Sequence, residues 1–165
     1  MTFSCTKKVL DRIGKYHPID ETRQETGFYN WYVDQINLER KNYFLFTNSE
    51  TLFSFFIYAG TKLELADIED LFKQKLAEQI IREISSAPEL IEKALGPQSG
   101  CTFHKTNSRS VLGSMNELKY LIWAHLEREE LEYKYDFINH ALNKCPMSAL
   151  KYEYPQDVMR EKLVT

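Results

Sequence analysis

The sequence has little of what several common protein classes require. Its 165 residues include three cysteines, Cys5, Cys101 and Cys145, which are widely spaced and form no Cys-x-x-Cys pair. We therefore expect neither a disulfide framework nor a zinc ribbon. The four histidines never fall at the i, i+4 spacing that would place two imidazoles on one helical face. The pattern predicts no metal site.

Long hydrophobic runs are missing as well. The longest, residues 52–60, has the length of a strand and contains Ser54, far short of the ~20 residues of a membrane span. The first eight residues lack the order of a signal peptide, in which a charged region precedes an apolar one. We expect a cytoplasmic protein that does not enter a membrane.

Charge and motif content narrow the function further. Lys and Arg number 21 and Asp and Glu 24, a net charge of -3. This balance argues against a dedicated nucleic-acid coat but leaves room for a local basic site. The sequence contains no Gly-x-Ser-x-Gly elbow, no phosphate loop and no dinucleotide fingerprint. It therefore assigns neither a cofactor nor a nucleophile, and whether the protein is an enzyme stays open.

Hydrophobic periodicity predicts a single α+β domain over residues 1–165, with a mostly antiparallel sheet packed with helices. The sheet is expected to contain a meander over residues 31–59 and short strands near 2–6 and 101–106. The runs 44–46 and 52–58 are apolar on consecutive residues, so helices should cover both faces of the sheet. Helices are predicted after Thr6, over 67–84, over 86–95 and from near residue 108, with a break around 127–130.

Three polar clusters each follow a predicted strand. In the first, Lys7 and Lys8 follow the helix cap Thr6. Lysines in the first turn of a helix oppose the macrodipole, and a helix start with extra positive charge suits an anion such as phosphate. Arg12, one turn further on, would extend the basic face. The alternative is that both lysines are solvated surface residues.

The second cluster, residues 47–51, joins two strands of the meander. Asn and Ser in such a turn usually hydrogen-bond to their own backbone. Ligand contact through Asn48 and Thr51 is the alternative.

The third cluster, residues 105–116, allows a helix to begin at Ser108 or at Ser114. An early start places Arg109, Gly113 and Asn116 on one face, which Tyr120 and Trp123 extend. Gly costs about 1 kcal/mol against Ala inside a helix, so its position there suggests a close approach to the backbone. Either a ligand approaches, or the helix packs on the sheet with Arg109 bonded to loop carbonyls.

The third motif, Arg-Ser-Val-Leu-Gly-Ser-Met-Asn at residues 109–116, resembles the signature of a bacterial family of domains of unknown function. The opening Thr-Lys-Lys-Val-Leu at 6–10, the segments 40–52 and the tail 142–155 are similar to the same family. Val9 and Glu117 are mild departures from its pattern. The resemblance implies no activity, but it implies that the three clusters belong to one shared site.

The leading hypothesis is a binding domain for an anionic, phosphate-bearing ligand such as a nucleotide or a nucleic-acid backbone. The alternative is a protein-interaction or regulatory module, in which residues 105–116 are structural and Tyr133, Tyr135, Tyr152 and Tyr154 meet a protein partner. A small hydrolase or nuclease, with His104 as a base, is the second alternative. The oligomeric state stays open. The candidate ligand-binding residues are Lys7, Lys8, Asn48, Thr51, Asn107, Arg109, Ser110, Gly113 and Asn116.

Overall fold

One sheet of five strands organises the part of the chain that the computed structural model describes, residues 1–22, 27–97, 99–128 and 134–165. In chain order the strands are β1 (Thr2–Cys5), β2 (Asn30–Leu38), β3 (Lys41–Asn48), β4 (Ser54–Tyr58) and β5 (Thr102–Lys105). Their spatial order is β4-β3-β2-β1-β5.

The α+β prediction is confirmed, with one correction to the sheet. The meander is present, because β2 pairs antiparallel with β3 and β3 with β4. The first strand, however, lies between β2 and β5 and is parallel to both. The sheet is therefore mixed, with two antiparallel and two parallel strand pairings, rather than mostly antiparallel. The alternation of side chains along a strand does not reveal its partner or its direction.

Helices occupy the connections and the carboxyl-terminal part of the chain. They are α1 (Lys7–Ile13), α2 (Lys62–Ala66), α3 (Ile68–Glu83), α4 (Pro88–Leu95), α5 (Arg109–Arg128), α6 (Lys134–Asn143) and α7 (Pro155–Val164). Of the break predicted around 127–130, residues 127 and 128 still belong to α5, and residues 129 and 130 lie outside the described residues. Across the described ranges, no helix has the length and apolar character needed to cross a bilayer.

Helices cover both faces of the sheet, as the consecutive apolar residues of β3 and β4 predict. One core joins a sheet face to α1, α2, α3, α4 and α7 around a cluster of aromatic rings, among them Phe3, Trp31, Phe46 and Phe72. The other core joins the opposite face to α5 and α6. Its buried residues include Tyr32, Leu45, Phe56, Met115, Leu118, Ile122, Ile138 and Leu142.

The outer edge of β4 is closed by two asparagines of α6. Asn143 is fully buried, accepts a hydrogen bond from Ser54 N at 2.8 Å and donates to Ser54 O at 2.8 Å. Asn139, one turn earlier, accepts from Phe56 N at 3.1 Å. These amides take the place of a sixth strand, so the edge does not present free backbone groups at Ser54 to another chain.

Candidate functional site

The parallel strands β1 and β5 send their connections to opposite faces of the sheet. Their ladder ends where Cys5 lies opposite Lys105, and Thr106 N donates to Cys5 O at 3.2 Å. From this point β1 leads into α1 in one core and β5 leads into α5 in the other. In open sheets with parallel strands, such a divergence creates a crevice outside the carboxyl ends of the strands, and ligands bind there.

A carboxylate of β2 connects the two sides of this crevice. Asp34 accepts a hydrogen bond from Thr6 Oγ1 at 2.7 Å, immediately before α1. The same carboxylate forms an ion pair with Lys119 of α5, and both side chains are 15% exposed. Thr6 stands at the start of α1 as predicted, but its hydroxyl bonds to Asp34 and does not cap the helix. Asp34 thereby fixes the start of α1 relative to α5.

The loop after β5 is held by Tyr32, two residues before Asp34. The Tyr32 hydroxyl donates to Asn107 Oδ1 at 2.6 Å and accepts from Ser108 N at 3.1 Å. Ser108 Oγ in turn accepts from Val111 N at 3.3 Å, so the helix begins early, at the first of the two predicted starts. Because the Asn107 oxygen receives the tyrosine proton, its amide NH₂ is the group left to donate to a ligand.

Three exposed cations lie just beyond the carboxyl ends of β1 and β5. Lys7, Lys8 and Arg109 are exposed, and none of them forms an ion pair with another residue in the described ranges. Arg12, which the sequence places on the same basic face, turns inward instead. Its guanidinium donates to Gln35 Oε1 at 3.2 Å and to the carbonyl of Ala59, and it lies over the ring of Phe44. Burial lowers the pKa of Arg12.

A cavity of about 570 Å³ opens on the α1 side of this sheet end. Lys7, Lys105 and Thr106 line it together with the acidic residues Asp11 and Glu21. The acids offset part of the positive charge, since Glu21 Oε1 lies 4.0 Å from Lys105 Nζ. An anion in this cavity would be attracted by Lys7 and Lys105 and repelled by Asp11 and Glu21.

The signature motif forms the exposed start of α5. Arg109, Ser110, Gly113 and Asn116 are all exposed. A Cβ atom added to Gly113 would meet nothing within 4 Å in the part of the chain that the structure describes, the helix backbone aside. Arg109 bonds to no loop carbonyl among the described residues. The glycine therefore packs closely against none of the described residues outside its own helix, and its open position is available to an external molecule.

Asn48 and Thr51 lie apart from the other candidates. Asn48 pairs with Trp31 near the amino end of β2, whereas the crevice lies at the carboxyl ends of β1 and β5. Both residues are fully buried. Asn48 Oδ1 accepts from Thr51 N at 3.0 Å, and Asn48 Nδ2 donates to Phe28 O at 2.7 Å. The structure thus brings together the first and third clusters and leaves the second at the opposite end of the sheet.

The imidazole of His104 is also buried. It is 5% exposed, and its Nε2 lies 3.0 Å from Thr102 Oγ1. A base in this position does not reach a substrate in an open crevice. Within the described residues, no three His, Cys, Asp or Glu side chains come together as metal ligands.

The predicted tyrosine surface is dispersed. Tyr152 and Tyr154 are exposed near the carboxyl terminus. Tyr135 instead donates to Glu39 and packs on Tyr43, and burial, followed by the bond to Glu39, raises its pKa. Tyr133 lies outside the described residues.

Sequence reasoning missed the residues that hold the site in place, namely Tyr32, Asp34 and Lys119. Asp34 could have been singled out from the sequence, because it is a charged residue on the same face of β2 as the apolar side chains of Tyr32 and Ile36. Its partners, Thr6 and Lys119, are distant in sequence and no periodicity connects them.

The described chain forms an α+β domain with a cavity at the carboxyl ends of the parallel strands β1 and β5, lined by both basic and acidic side chains. The family model of a domain of unknown function, DUF6933, matches residues 2–158, and the chain belongs to that family. A comparison with curated proteins finds no match.

Proposed function

We propose that the protein is a binding domain for an anionic, phosphate-bearing ligand such as a nucleotide or a nucleic-acid backbone. The ligand is held at the crevice by Lys7, Lys8, Asn107 and Arg109, with Ser110 and Asn116 as further hydrogen-bond donors and Gly113 leaving room for approach. The observation that carries the proposal is the divergence of β1 and β5, which positions three cations without an acidic partner among the described residues at one end of the sheet.

Electrostatics supports an anion at this position. Lys7 and Lys8 begin α1, where no acidic residue stands in the first turn. Positive charge at a helix start is unfavourable by roughly 0.3–1 kcal/mol for each residue. Neither lysine forms an ion pair within the described chain, although Asp11 and Glu21 line the same cavity as Lys7. A bound phosphate group would remove this repulsion and would accept from the lysines, the guanidinium and the Asn107 amide together.

The proposed setting is the cytoplasm of a bacterial cell. All three cysteines are free thiols, Cys5 buried and Cys101 and Cys145 partly buried, which fits a reducing compartment. The bacterial origin rests on the resemblance of the signature motif.

Titration calorimetry with ATP and with inorganic pyrophosphate tests this function. We expect Lys7→Ala and Arg109→Ala each to weaken binding about fivefold, the effect of losing about 1 kcal/mol of a charge-assisted contact at an exposed position. Lys144→Ala is the matched control, because Lys144 is exposed and follows α6 where Asn143 contacts the amino end of β4. Equal losses in all three variants would indicate nonspecific charge attraction and contradict the proposal.

A further inference from the structure

The helix α5 exposes two large aromatic side chains beyond its signature motif. Tyr120 is 71% exposed and Trp123 is 42% exposed, and their ring centroids lie 5.8 Å apart at an interplanar angle of 82°. They continue the face that begins with Arg109, Gly113 and Asn116. Aromatic rings of this size are normally buried at cores or interfaces, so their exposure beside unpaired cations requires an explanation.

The contacts of α5 show which way this face is turned. On one flank, the His125 ring lies 5.6 Å from Phe137 of α6. On the other flank, Lys119 pairs with Asp34, whose carboxylate also binds Thr6. Asn116 and Trp123 stand one helical turn to either side of Lys119. They therefore border the flank that adjoins the start of α1, where Lys7 and Lys8 follow Thr6.

We infer that the phosphate-bearing ligand is a single-stranded nucleic acid whose bases stack on Tyr120 and Trp123 while its phosphates contact Lys7, Lys8 and Arg109. The inference rests on the proposed function. Sites for single strands combine cations that follow the backbone with aromatic rings on which bases stack. Arg109 and Trp123 are separated along the helix by about 21 Å. A mononucleotide has one base and cannot use both rings together with cations spread over this length.

Two acidic residues bound the surface. Glu117 and Glu127 are exposed on α5. Glu117 lies about 80° around the helix from His125 and about 160° from Lys119, so it belongs to the α6 side. Glu127 follows Trp123 by one turn and ends the stripe. The backbone of the strand therefore runs from Trp123 toward Arg109 and the two lysines, away from Glu127 and past Glu117 on the flank nearer Lys119.

Fluorescence anisotropy with a labelled twelve-nucleotide oligo(dT) tests the inference. Trp123→Ala and Tyr120→Ala should each weaken binding about 5- to 150-fold, the range for loss of one base–aromatic stack. Tyr152→Ala, which removes a more exposed ring elsewhere, should leave the affinity unchanged. The logarithm of the binding constant should fall with the logarithm of salt concentration with a slope of about −2, as expected for three neutralised phosphates on a single strand.

Comparison probes separate this inference from the proposed function. A strand of the same length with abasic sites cannot stack on either ring, so it should bind the wild type at least as weakly as oligo(dT) binds to Trp123→Ala. If the abasic strand binds as tightly as oligo(dT), stacking is refuted and phosphate binding stands. If the protein binds ATP but not oligo(dT), the inference of a single-stranded ligand is refuted and phosphate binding again stands. If it binds neither ATP nor oligo(dT), both proposals are refuted. A dimer that Trp123→Ala converts to a monomer would show that the face is a protein interface and overturn the inference.

Discussion

Replacing Asn143 by Ala should cost the protein a large part of its stability. The Asn143 amide satisfies both the N–H and the C=O of Ser54 and also donates to Asn139 O at 3.0 Å. The residue is fully buried, so the substitution leaves two backbone groups of Ser54 without partners. Each stranded buried group costs about 1–3 kcal/mol. We expect a loss of about 2–5 kcal/mol from a total stability of about 5–15 kcal/mol.

Urea unfolding followed by circular dichroism measures this loss, and two variants calibrate it. Asn139→Ala strands only the N–H of Phe56 and should lose about 1–3 kcal/mol. Asn37→Ala, at an exposed position of β2, should change stability by less than about 0.5 kcal/mol. Equal stability of Asn143→Ala and Asn37→Ala would contradict this prediction, since water would then replace the amide at the strand edge without cost.

Three further predictions concern the loop, an ion-pair cluster and a thiol. Tyr32→Phe removes the hydroxyl that holds Asn107 and Ser108, and it should lower the unfolding free energy by about 1–2 kcal/mol. The same variant should bind pyrophosphate more weakly, and unchanged binding would contradict the positioning role of Tyr32. Burial alone would raise the pKa of Asp136, but Arg82 and Lys75 outweigh it and lower the pKa. The stabilisation is therefore present above the unfolded pKa of about 3.9 and lost as pH falls through the lower folded value. Asp136→Asn should thus be less stable than the wild type at pH 7, by at most about 1 kcal/mol, and the difference should shrink in acid. A difference that grows in acid would contradict the lowered pKa of Asp136. Burial, with a further contribution from Glu69, raises the pKa of Cys101 to about 12. Its reaction with a thiol reagent at pH 8 should therefore be far slower in the native protein than in denaturant, and equal rates would refute the raised pKa.

The sequence predicts the elements of this fold better than their arrangement. The consecutive apolar residues of β3 and β4 correctly predicted helices on both faces, and the alternation in residues 2–6 correctly predicted a strand. Neither pattern contains the information that β1 inserts between β2 and β5, because that pairing is set by contacts between residues far apart in the chain. The short helix α2 has too few residues to show a helical stripe.

For the candidate site too, the individual residues are easier to predict from the sequence than their arrangement in space. Lys7, Lys8 and Arg109 were predicted from local chemistry, and the structure confirms that they stand at helix starts and are exposed. Asn48 was expected to lie near these cations. Because β3 runs antiparallel to β2, Asn48 lies instead at the opposite end of the sheet. Arg12 was expected to extend the basic face, but the carbonyl of Ala59 and the Phe44 ring draw it inward.

The most direct test of the phosphate-binding crevice is a pyrophosphate titration of the ¹⁵N-labelled protein, followed by amide chemical shifts. We expect the largest shifts at Lys7, Lys8 and residues 107–110, the two chain segments that leave β1 and β5, and no shift at the turn of residues 48–51. Shifts concentrated at that turn, or shifts spread evenly over all exposed lysines, would contradict it.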